Sequence, residues 1–115
     1  MSNVWPFESC VRDIVSLLAD GEYAALEQRS GGVRLSAAQI AEGVLDYPYP
    51  PIVPPAHMEP AWHVVSIAVA EPPAWSVWVP LWTAQEGQSD LTLQLTVRAE
   101  SATRFRVEID NLLVP

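Results

Sequence analysis

Six prolines fall between Tyr47 and Pro60, at positions 48, 50, 51, 54, 55 and 60. Each lacks a backbone N–H and has a fixed φ, so a run this dense cannot form a helix or a central strand. It predicts an extended surface strap over 47–60 that crosses between two halves of the chain. It is too short, and too closely flanked by patterned segments, to be a linker between domains. The 115 residues are therefore expected to form one domain.

Before the strap, the apolar spacing is helical. Phe7, Val11, Ile14, Val15 and Leu18 line one face of a segment from about Trp5 to Asp20. Pro6 fits its first turn, and Gly21 reads as the glycine that ends it. A second helix, Glu22 to Gln28, would bury Tyr23 and Leu26, and Ser30-Gly31-Gly32 stops it. Ser36-Ala37-Ala38-Gln39 has the spacing of a capping box. The helix it opens should run to about Asp46, with Ala37, Ile40, Ala41, Val44 and Leu45 toward the core.

After the strap the period drops to two, with strands expected over 62–69, 75–82, 91–98 and 104–112. The breaks between them suit hairpins, so the expectation is an antiparallel meander over 62–113. Three helices followed by four strands predict an α+β domain, the N-terminal helices (about 5–46) packed on one face of a four-stranded antiparallel sheet. The aliphatic alternates of each strand should face the helices. The other face would then carry Trp78 and Trp82 beside Arg106, Glu108 and Asp110, and Trp and Arg are enriched where proteins meet. Tyr47 and Tyr49 in the strap could present two rings to the same partner.

The charge narrows the partner. Six basic residues, all Arg, stand against fourteen acidic ones, for a net charge of −8 and a pI near 4.4. That field repels phosphate backbones and anionic lipid, and favours a basic protein. No apolar run approaches the roughly 20 residues of a membrane span, and the first residues lack a basic leader. A lone cysteine, Cys10, forms no internal disulfide, which suits the cytoplasm.

Two resemblances bear on the fold. Ile14 to Leu26, with its Asp20-Gly21-Glu22-Tyr23 turn, looks like the opening two helices of cystatin-like domains of the nuclear transport factor 2 type. That resemblance implies a strongly curved sheet closing a cone. Nearly the whole chain also resembles a family of small bacterial domains of unknown function. The carrying residues are Arg34-Leu35-Ser36, the strap from Pro51 to Pro55, Pro73 to Val77, Leu81-Trp82-Thr83, Gly87 to Leu93 and Arg106 to Asp110.

Enzymes on the cone place an Asp, Tyr or His inside it to move a proton, which makes Tyr23, Asp46 and His63 the alternative pocket set. No Ser-His-Asp or Cys-His arrangement, metal-ligand spacing or phosphate-binding glycine loop accompanies them, so no catalytic residue, metal or cofactor is assigned. The first expectation is a non-enzymatic cytoplasmic protein-binding module of the immunity or adaptor kind. The alternative is a cone-pocket protein that binds or isomerises a small apolar molecule, and a homodimer is compatible with either.

Overall fold

A computed structural model describes residues 5–58 and 60–115. The first four residues, which form part of the stretch read for a leader, lie outside it, as does Glu59 of the strap. Three helices come first: α1 (Glu8–Ala19), α2 (Tyr23–Ser30) and α3 (Ala37–Asp46). Five strands follow: β1 (Pro51–Ile52), β2 (His63–Ser66), β3 (Ala74–Thr83), β4 (Gly87–Ala99) and β5 (Phe105–Leu113).

Local chemistry sets the helix ends. At the end of α1, Gly21 takes φ +74, its N–H bonds to the Leu18 carbonyl, and the Glu22 N–H reaches back to Leu17. This pair of bonds satisfies carbonyls that the helix leaves open. The α3 capping box forms as expected: Ser36 Oγ accepts from the Gln39 N–H, and Gln39 Oε1 accepts from the Ser36 N–H. Glu27 of α2 adds a third cap by accepting from the Ala37 N–H, setting a carboxylate against the positive end of α3.

Burial follows the predicted faces. Phe7, Val11, Ile14, Val15 and Leu18 meet Val77, Val79, Leu81, Leu91, Leu93, Leu95, Val97, Val107 and Ile109 in one core with Leu26, Ile40 and Val44. At one end of the sheet Phe7 packs against Trp75 at 5.0 Å and Phe105 at 6.1 Å between ring centres. Leu45 corrects the expected α3 face, for it is 76% exposed. The helix meets the sheet through the narrower stripe of Ile40 and Val44, and Leu45 lies one position round from it.

Two further corrections concern the sheet. It has five strands, because Pro51 and Ile52 leave the strap to pair with Thr83 and Trp82. A proline survives there because this is a sheet edge. The sheet is also open: its order is β1-β3-β4-β5, with β2 beside β3, and it neither curves nor closes into a cone. The cystatin-like, nuclear transport factor 2 type assignment therefore fails. The helix–turn–helix opening that suggested it is a local solution to ending one helix and starting another, and it does not dictate how a sheet bends.

Candidate functional site

The free edge of β3 is shared. β2 pairs with Trp75 to Trp78, and β1 pairs with Trp82 and Thr83. Between these two pairings, β3 from Val79 to Leu81 has no strand beside it on that edge among the described residues. The Ala74 carbonyl accepts from the Ile67 N–H at 2.9 Å, which points the backbone of Ala74 toward β2. Alternation carries the backbone of Ser76, Trp78 and Pro80 to the same edge. Pro80 thus faces the break with no N–H to leave unpaired.

A cavity of about 220 Å³ occupies this break. Arg12, Val15 and Ser16 of α1 wall one side, with Val79 and Pro80 of β3 behind them. Trp82 and Gln88 close the other side, and Val53, Pro54, Ala56, Met58, Pro60, Ala61 and Trp62 arch over it. Trp62 anchors the arch: its ring stacks on Trp5 at 5.4 Å, and the Arg12 guanidinium lies 5.7 Å from its centre. Arg12 is itself held by Glu8, a nearly buried carboxylate, with Nε 2.9 Å from Oε2.

The start of the strap is tied to the β3–β4 hairpin. The Tyr47 hydroxyl donates to Glu86, 2.7 Å from Oε2, and accepts from Ser89 Oγ at 2.9 Å. Thr83 donates to Glu86 Oε1 at 3.1 Å and accepts from the Glu86 N–H. Hydrogen bonds from Tyr47 first, then from Ser89 and Thr83, hold the Glu86 carboxyl below its ordinary range despite some loss of hydration. For the Tyr47 phenol, the Ser89 hydrogen bond acts downward. The Glu86 hydrogen bond, desolvation and the Glu86 and Asp90 charges outweigh it, and the phenol lies above its ordinary value.

The three helices share one face of the sheet, and no helix covers the other among the described residues. Across that outer face His63, Trp78, Gln94 and Asn111 align in one row, and Val65, Ser76, Thr96 and Glu108 in the next. The half nearest β1 and β2 is apolar, with Ile52, Val65, Ile67, Trp78 and Trp82. Ile52, Val65 and Ile67 are exposed, while both tryptophans are half-buried. The half nearest β5 is polar and already paired within the molecule. Arg98 reaches Glu108 at 3.4 Å, Arg34 reaches Asp110 at 2.9 Å, and Thr96 donates to Asp110 at 2.6 Å.

The residues expected to bind a partner thus divide. Trp78 and Trp82 lie on the outer face as expected, and exposed Arg106 stands opposite Arg98 at the β5 edge. Glu108 and Asp110 serve internal ion pairs. Tyr47 is committed to the hairpin, and Tyr49 sits exposed with its ring edge-on to Tyr47 at 6.2 Å. The alternative pocket set is not assembled. Tyr23 opens α2 and packs on the core, Asp46 ends α3 in solvent, and His63 is exposed on the outer face. None of the three lines the edge cavity.

Sequence reasoning missed Arg12, Met58 and Gln88 as cavity residues and Glu86 as the partner of Tyr47. Two signals were present: Pro80 interrupting the donors of an otherwise regular strand, and the Thr83-x-x-Glu86 spacing across a hairpin. No three or more His, Cys, Asp or Glu side chains gather as metal ligands among the described residues. No helix there is long and apolar enough to cross a membrane.

Neither a curated protein nor a solved structure matches the chain. A family described as a domain of unknown function (DUF7668) matches residues 15–115, a span that takes in everything from the middle of α1 through β5, and the chain belongs to that family.

Proposed function

We propose that this domain is a non-enzymatic, cytoplasmic protein-binding module of the immunity or adaptor kind, which docks a basic partner on the apolar half of its outer sheet face. The observation that carries the reading is the helix-free face bearing Trp78, Trp82, Val65 and Ile67. Apolar surface framed by polar residues is the usual composition of a docking patch. The net charge of −8 supports a partner of opposite sign, which the acidic field would steer into contact. A second copy of the chain carries the same charge and is the less favoured occupant.

The test uses Val65→Asp, which changes an exposed position on the patch, and Leu45→Asp, which makes a matched change at exposed α3. Native mass spectrometry of protein captured from its own host would identify a stoichiometric complex. The reading expects a basic partner that Val65→Asp releases and Leu45→Asp retains. A partner indifferent to Val65→Asp removes the outer face, and a chain recovered alone or only as a homodimer removes the separate partner.

A further inference from the structure

We infer that the cavity in the break between β1 and β2 is a binding site for a small uncharged aromatic molecule, of one or two fused rings, carrying one hydrogen-bond acceptor. The site lies at the sheet edge, shares only Trp82 with the outer-face patch proposed above, and does not depend on docking there.

Size comes first. Empty apolar cavities near 150 Å³ admit benzene, so about 220 Å³ suits a somewhat larger ring system. The lining sets the ligand's shape. Trp62 and Trp82 offer flat faces, Met58 is a side chain that repacks around varied shapes, and Val15 and Val79 form an apolar floor continuous with the core.

The polar groups define the ligand's chemistry. Arg12 Nε is occupied by Glu8, and no hydrogen bond engages the terminal guanidinium nitrogens among the described residues. Those nitrogens only donate, so they require an acceptor. Ser16 on the same helix and Gln88 across the cavity can accept or donate. Pro80, whose ring nitrogen faces the break, carries no N–H to compete there. Glu8 balances the Arg12 charge in a chain of net −8, so an anion entering the cavity meets no net positive field. An uncharged acceptor, such as a carbonyl or hydroxyl, meets the same donors without that opposition.

The test is a titration of the ¹⁵N-labelled chain with 2-naphthol, followed by NMR at the Trp62 and Trp82 indole N–H groups and the Gln88 side-chain amide. Saturable shifts confined to cavity residues, with a dissociation constant below about 1 mM, are expected. Ser16→Leu projects added volume into the cavity from a fixed helical position and should weaken binding at least about tenfold. Ala61→Leu repeats the blockade from the strap should the helix variant fold poorly. Ala102→Leu, in the β4–β5 turn, should leave binding unchanged. 2-Naphthoate, the anionic counterpart, should bind about tenfold more weakly than 2-naphthol. No saturable shift, or shifts indifferent to both blocking variants, would overturn the site. Naphthoate binding as well as naphthol would overturn the uncharged class.

Discussion

Trp62 pins the far end of the strap to α1, and Trp62→Ala tests whether that contact holds the arch in place. The ring is half-buried against the core, stacked on Trp5 at 5.4 Å with 20° between planes. Burying about half of a tryptophan's roughly 200 Å² at about 25 cal/mol/Å² contributes about 2.5 kcal/mol. The aromatic pair adds about 1 kcal/mol, and the Arg12 guanidinium 5.7 Å from the ring adds about 0.5 kcal/mol at this exposed site. The expected loss is about 4 kcal/mol, a large part of a typical domain stability of roughly 5–15 kcal/mol. Urea unfolding reads it directly as a lowered midpoint at unchanged slope. A cycle with Trp5→Ala should return a coupling of about 0.5–1.5 kcal/mol for the stacked pair. A loss below about 1 kcal/mol, with the slope unchanged, would show that the strap stays in place without Trp62 and refute the reasoning.

The remaining expectations concern the other fastenings of the fold. Tyr47→Phe removes the hydroxyl between Ser89 and Glu86 and should flatten the pH dependence of stability at both ends. The depressed Glu86 carboxyl stabilises the fold above its unfolded value, and that contribution fades as acid takes pH down through the folded value. The raised Tyr47 phenol contributes below its ordinary 10.0, and that share fades as pH climbs through the folded value. Urea midpoints measured from acid to alkaline pH would show both arms in the parent and, in the variant, a shallower acid arm, since Thr83 and Ser89 still hold Glu86, and a shallower alkaline arm. Ser36→Ala breaks the capping box and should cost about 1 kcal/mol by the same assay. Gly21→Ala meets no atom within 4 Å, so its expected cost of about 1 kcal/mol comes from backbone strain at φ +74 alone.

The sequence revealed most where one local force decides. The α1 stripe, the glycine after Asp20, the Ser36-to-Gln39 box and the inward set Val77, Val79 and Leu81 each follow from periodicity or from a single turn's chemistry, and each is where it was expected. Features needing two distant segments stayed hidden. The pairing of Pro51 and Ile52 with Thr83 and Trp82 depends on which edge of β3 is open. The curvature of the sheet depends on how several strands pack together, and a resemblance confined to two helices misjudged it. The site divided likewise: alternation placed Trp78 and Trp82 on the outer face. Charge alone could not show that Glu108 and Asp110 are spoken for by Arg98 and Arg34 across the fold.

Anchoring β1 and β2 separately on one strand leaves the span between them fastened to the helices chiefly through Trp62, at its far end. The two anchor points on β3, Trp78 and Trp82, are only about 13 Å apart along the strand, while ten residues (53–62) bridge them. Even doubling such a bridge costs only about 0.6 kcal/mol in closure entropy. The arch can therefore be lengthened, shortened or rewritten ahead of Trp62 while every strand register stays as it is. Such changes would resize the chamber beneath it without altering the scaffold, much as variable loops diversify binding on a constant framework.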